Sequence, residues 1–154
     1  MSSAQASTEL AIPRDRAWEI LRDLGIAHRY VPGLVRTEIR SAQTQGVGAT
    51  RRVYRKGGRG LDETVTEWEE GHGFLLRLTQ PDGTAPAPFA RASFRYRLDD
   101  LPGQAERSRM TITLEYEPRW GAFGRLLDRL VLARAVAGMQ RELAGRIKGY
   151  YESV

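Results

Sequence analysis

Tyr96 and Tyr116 are the first residues whose type and spacing suggest chemistry. Each falls on the apolar side of an alternating run. Ala90, Ala92, Phe94, Tyr96 and Leu98 share one side of the first run, and Met110, Ile112, Leu114 and Tyr116 one side of the next, so both phenols point inward. A phenol held there can donate a hydrogen bond to a carbonyl oxygen, or to an enolate that develops from it. It can equally be a core tyrosine satisfied by a backbone partner. His28, between two short helical runs, titrates near neutral pH and reads either as an acid or base or as a surface residue. His72, between two glycines, reads as a solvated turn residue.

Several chemistries are excluded by what is missing. There is no cysteine, so thiolate catalysis, disulfides and cysteine-ligated metals are ruled out, and the two histidines have no metal-ligand spacing. No metal and no cofactor are therefore expected. Gly46-Val47-Gly48 and Gly57-Gly58-Arg59-Gly60 stand between strands rather than between a strand and a helix, and no Gly-x-x-x-x-Gly-Lys-Ser/Thr run exists, which argues against a nucleotide site. A nucleophile elbow and a Ser-His-Asp order are likewise missing.

The net charge of +5 and pI near 10 invite an anionic partner. The basic residues are dispersed through nearly every element with acids between them, and arginine outnumbers lysine 22 to 2. That pattern argues against a nucleic-acid surface and leaves peripheral contact with an anionic membrane as the charge-driven option. No stretch reaches the length of a membrane span and Met1 to Ser7 has no signal-like pattern, so the expected location is cytoplasmic.

The elements that would position these groups follow from periodicity. Ser7 to Ile12 reads as a strand ending at Pro13, which opens a helix carrying Ala17, Ile20, Leu21 and Leu24 on one face and closed by Gly25. Ile26 to Tyr30 makes a second helical turn. From Leu34 the period is two: Val35, Thr37 and Ile39 alternate, then come strands over 49–56, 61–70 and 74–80, a proline-rich loop over 81–88, and strands over 89–98 and from Met110 to about Glu117, joined by a turn over 99–106. The outer faces of the last two strands could pair arginines with glutamates. Trp120 to the end reads as one long amphipathic helix of roughly 45–50 Å at ~1.5 Å per residue. The order strand, two helices, six strands, long helix predicts an antiparallel meander whose inner face that helix covers.

This order, together with Ile12-Pro13-Arg14-Asp15-Arg16-Ala17-Trp18, Tyr30-Val31-Pro32-Gly33-Leu34-Val35, Gly46-Val47-Gly48-Ala49-Thr50-Arg51 and Leu143-Ala144-Gly145-Arg146-Ile147-Lys148-Gly149-Tyr150-Tyr151-Glu152, resembles the START/Bet v 1-like (SRPBCC) superfamily. The nearest branch is that of the bacterial polyketide cyclases, dehydrases and lipid-transport proteins. Tyr30 stands where that family more commonly has tryptophan. The resemblance covers nearly the whole chain, rests on packing motifs rather than catalytic ones, and implies one α+β helix-grip domain over residues 1–154. In that fold a seven-stranded curved antiparallel sheet wraps the C-terminal helix, with two short helices between strands 1 and 2.

The same resemblance implies a ligand cavity between sheet and helix. Its implied inward residues on the third strand are Arg51, Val53 and Arg55, with Asp62, Thr64, Thr66 and Trp68 facing them from the fourth. An Arg51–Asp62 ion pair is the structural alternative to a ligand contact, because a buried arginine needs a partner. The opposite register would turn Glu63, Val65 and Glu67 inward, and a bulge could change faces midway. Ala92, Phe94, Tyr96, Tyr116 and Trp120 would complete the sheet side. Phe123, Leu127, Val131, Ala135 and Met139, four apart, would line the helix side, with Leu143, Ile147 and Tyr150 anchoring the closed end; a dry core stripe is the alternative. The implied function is to bind a small hydrophobic molecule that is polyketide-like, aromatic or isoprenoid, as monomer or homodimer. If the protein is catalytic, Arg51 and Tyr96 would polarise a carbonyl during cyclisation or dehydration. The competing functions are a non-enzymatic lipid or quinone carrier and a domain that binds a macromolecular partner.

Overall fold

The computed structural model describes residues 1–154, the side chain of Leu130 excepted. Strand β1 (Ser2–Leu10) is followed by helix α1 (Arg14–Leu21), a 3₁₀ turn (Leu24–Arg29), and strands β2 (Leu34–Ile39), β3 (Thr50–Arg55), β4 (Gly60–Glu69), β5 (Gly73–Thr79), β6 (Phe89–Leu101) and β7 (Gln104–Pro118). The chain closes with α2 (Gly121–Leu127), a π-helical turn (Asp128–Leu132) and α3 (Ala133–Ser153). The seven strands form one antiparallel sheet in the order β1-β7-β6-β5-β4-β3-β2. The anticipated helix-grip architecture is thus present.

Three local differences matter. β1 begins at Ser2 rather than Ser7: a run as polar as Ser2-Ser3-Ala4-Gln5 becomes a strand because all of it pairs with β7, which propensity cannot foresee. The turn over 99–106 shrinks to Pro102-Gly103, with Gly103 at φ +71°, so β6 and β7 run on as a long ribbon. Across the outer face of that ribbon Arg91 meets Glu117 at 3.0 Å and Arg95 meets Glu115 at 3.7 Å.

The third difference is the phase of the final helix. The stripe Phe123, Leu127, Val131, Ala135, Met139 does not face the sheet: Phe123 is 66% exposed, Val131 60% and Met139 55%. The inward positions are Gly124, Asp128, Leu132, Val136 and Gln140, one residue later and so about 100° further round. A π turn takes an extra residue per turn, which keeps Gly124, Asp128, Leu132 and Val136 on one side where straight α-helix would rotate them away. From Leu143 onward the anticipated anchors hold. Leu143 and Ile147 are buried, although Tyr151 rather than Tyr150 is the fully buried tyrosine. Gly124 is required because a Cβ there would lie 1.6 Å from the Arg119 carbonyl oxygen.

The core has two parts. Around α1 and the end of α3 pack Leu10, Trp18, Leu21, Leu24, Leu98, Met110, Ile112 and Ile147. At the other end Ala92, Leu114, Tyr116 and Val136 form a smaller cluster. Leu78 and Phe94 lie on the concave face, touch both clusters and remain partly exposed.

Candidate functional site

The third and fourth strands pair in the register that sequence patterning left as the alternative. Arg51 stands opposite Glu63 and Arg52 opposite Asp62. The Arg51–Asp62 pair therefore does not form. Asp62 lies on the outer face, where it takes a bidentate contact from Arg52 at 2.6 and 3.0 Å, and Thr64 on that same face meets Thr50. Glu63 and Val65 point inward. A bulge between Val65 and Glu67 then shifts the phase so that Trp68, and not Glu67, faces the core. Trp68 stacks on Phe74 at 5.5 Å and meets Trp18 edge-on at 5.1 Å, so its ring is engaged in packing α1 onto the sheet.

Arg51 is 1% exposed. Its Nε donates to Glu63 Oε1 at 2.7 Å and its Nη1 to the Leu24 carbonyl at 3.2 Å. Burial works against the guanidinium's charge, but Glu63 and the neighbouring phenols of Tyr30 and Tyr96 more than restore it, and its pKa is raised. The side chain is a permanent cation inside the protein. Val53, two residues on, is buried beside it on the same face.

Three tyrosines from three elements lie within the influence of that cation or of one another. Tyr30 follows the 3₁₀ turn, Tyr96 comes from β6 and Tyr151 from α3. All three are buried, and burial raises each phenol's pKa, most strongly for Tyr96 and Tyr151; the Arg51 charge only partly opposes this. They stay protonated, and so serve as hydrogen-bond donors rather than as bases. The hydroxyls of Tyr30 and Tyr151, on rings 5.4 Å apart, lie close enough to each other to shift one another's pKa, but neither makes a hydrogen bond of full geometry. A buried hydroxyl left unpaired costs about 1–3 kcal/mol, and here two of them lie beside a cation.

Tyr116 is already engaged. Its hydroxyl donates to the buried Asp128 carboxylate, which also accepts from Ser2 at 2.6 Å, and burial together with that carboxylate raises the phenol's pKa. This contact ties the π turn to β7 and β1. Ala92 packs against Tyr116 in the smaller cluster, and Phe94 sits between the two clusters.

Beside that end of the sheet is an apolar recess of about 160 Å³, lined by residues that include Pro88, Pro118, Trp120, Leu127, Leu132 and Ala135. Val131 also reaches it, whereas Phe123 and Met139 project to solvent. The recess is smaller than the roughly 300 Å³ of a pocket that encloses a drug-sized molecule.

Alternation singled out Tyr96 and the family resemblance Arg51, but neither pointed to Tyr30 and Tyr151 as site residues. The available signal was the choice of tyrosine where an apolar ring would pack equally well. His28 binds Thr37 through its ring and backbone, and His72 is not simply solvated, since its ring contacts Arg14 and the Leu98 carbonyl. Among the described residues no cluster of three or more His, Asp or Glu is placed to hold a metal, and no helix is long and apolar enough to cross a membrane.

A curved antiparallel sheet gripping a C-terminal helix defines the helix-grip, Bet v 1-like class of folds. Residues 1–152 match the family model described as "Polyketide cyclase / dehydrase and lipid transport", and the chain belongs to that family. No curated protein sequence matches it. Among solved structures it is similar to Ara h 8.0201 (TM-score 0.72, 15% identity, 99% of each chain covered). It is also similar to a START superfamily protein from Mycobacterium smegmatis (TM-score 0.74, 14% identity, 98% of this chain and 97% of that one). The Zhui aromatase/cyclase from Streptomyces sp. R1128 aligns with a TM-score of 0.65 at 18% identity, over 95% of this chain and 93% of that one. At these identities the likeness is one of fold.

Proposed function

We propose that the protein binds a small, largely apolar molecule bearing a carbonyl or other neutral oxygen, held between the sheet and the C-terminal helix. The apolar body would lie along Phe94, Leu78 and Val53, and the oxygen would be received by Tyr30, Tyr151 and Tyr96 beside Arg51. The observation that carries this reading is the pair of buried, unpartnered hydroxyls on Tyr30 and Tyr151. Membership of a family of cyclases, dehydrases and lipid-transport proteins supports the ligand class. The names of the structural neighbours, an aromatase/cyclase among them, agree with it.

The cluster supports binding better than proton abstraction. Its phenols are held protonated and Glu63 is committed to Arg51, so the groups present donate hydrogen bonds and none is free to accept a proton. A polyketide cyclase acting through this site would need its base from the substrate or from water, with Arg51 and Tyr96 stabilising the enolate oxygen. A carrier of lipids or quinones needs only the donors. Native mass spectrometry of protein purified from its own host tests the reading: a retained apolar ligand, released from a Tyr30→Phe/Tyr151→Phe variant, is the expected result. An empty protein that also binds nothing in a panel of quinones, isoprenoids and polyketides would refute it.

A further inference from the structure

The helix that covers the sheet has an outer side unlike the rest of the surface. Trp120 is 62% exposed, Phe123 66%, Leu126 54% and Val131 60%, and Met139 continues the apolar series. Between Glu117 and Glu142 the sequence has five arginines and one acid, Asp128, and that acid is buried against Tyr116 and Ser2. The exposed charges of this segment, Arg125, Arg129, Arg134 and Arg141, are therefore all positive. Elsewhere the pattern is opposite: Arg95 and Arg97 on the sheet's outer face are matched by Glu67 and Glu69 at 2.9 and 2.7 Å. Trp120, at the edge of the apolar recess, is moreover held in the left-handed region at φ 70°, a conformation unfavourable for a bulky residue.

We propose that residues 120–141 form a docking surface for an anionic lipid bilayer, with Trp120, Phe123 and Leu126 entering the interface and Arg125, Arg129 and Arg134 contacting lipid phosphates. Charge complementarity selects the occupant. A second copy would set arginine against arginine, and a nucleic acid would leave the aliphatic side chains of Leu126, Val131 and Met139 without apolar cover. A bilayer surface takes both features at once, aromatic rings at headgroup depth and cations at the phosphates. The proposal is independent of any bound ligand.

Co-sedimentation with vesicles of phosphatidylcholine alone, or mixed equally with phosphatidylglycerol, tests it on the intact protein. Binding is expected to the mixed vesicles only and to weaken as salt rises. Each arginine at an anionic surface contributes about fivefold in affinity, so Arg125→Gln/Arg129→Gln is expected to weaken binding about 25-fold. Phe123→Glu is expected to abolish it, while Arg59→Gln, in the β3–β4 turn, stays within about twofold of the parent. All four positions are exposed, and retained folding is checked by circular dichroism. No binding to the mixed vesicles, or equal losses from Arg59→Gln and from a single Arg125→Gln, would overturn the assignment. So would self-association in light scattering that Phe123→Glu removes without any vesicle binding, which would assign the face to a second copy.

Discussion

Replacing Glu63 with glutamine removes the carboxylate that neutralises Arg51 while preserving the size of the side chain. Arg51 is 1% exposed and Glu63 12%, so water cannot take over the missing contact. Breaking a buried pair on one side typically destabilises by about 3–5 kcal/mol, because the remaining charge stays desolvated. For a domain of this size each kcal/mol moves Tm by about 2–4 °C, so Glu63→Gln is expected to lower Tm by roughly 6–20 °C. Replacing both partners, as Arg51→Met/Glu63→Leu, removes the two buried charges together and is expected to return Tm to near the parent value or above it. The double variant thereby separates stability from recognition: it folds but lacks the interior cation. Differential scanning calorimetry measures the first effect, and titration with whichever ligand native mass spectrometry identifies measures the second. A Tm loss under about 2 °C for Glu63→Gln would refute the claim that Arg51 is held as a desolvated cation by this carboxylate. Unchanged ligand affinity in the double variant would remove Arg51 from the site.

Burial raises the phenol pKa of Tyr30, Tyr96, Tyr116 and Tyr151, so the folded protein holds protons that the unfolded chain releases above about pH 10. Stability from these groups is complete below that pH and is lost as pH rises beyond it, by up to ~1.4 kcal/mol per unit for each. Urea titrations between pH 9 and about 12 should show the decline, and phenolate absorbance should appear for four of the six tyrosines only with unfolding; all six ionising near pH 10 in folded protein would contradict the buried placement. Gly124→Ala places a methyl against the Arg119 carbonyl and is expected to destabilise by about 1–3 kcal/mol, read as a lower Tm; an unchanged Tm would mean that α2 is not seated as closely as the structure has it.

Local periodicity was enough to set the order of elements and the fold class, since alternation and helical spacing are properties of neighbouring residues. It also placed Ala92 and Tyr96 inward, while the family resemblance implied the inward positions of Arg51 and Val53 and the anchoring of Leu143 and Ile147 at the closed end, and all six are buried. What the chain could not settle alone was phase. The bulge between Val65 and Glu67 and the π turn at Asp128–Leu132 each insert one residue, and one residue exchanges faces on a strand or rotates a helix by about 100°. Whether such an insertion is tolerated depends on distant partners: Trp68 packing on Trp18 and Phe74, and Asp128 taking the hydroxyls of Tyr116 and Ser2.

For that reason sequence determined that Tyr96 and Tyr116 lie on inward faces of adjacent strands, and by family resemblance pointed to an inward arginine, while tertiary structure decided which groups meet. Arg51 pairs with Glu63 rather than Asp62, and Tyr30 and Tyr151 come together from positions far apart in the chain. Val131 and Met139 turn outward to join an exposed apolar and basic surface. Burial and pairing are free energies of the assembled core, and no window of neighbouring residues contains them.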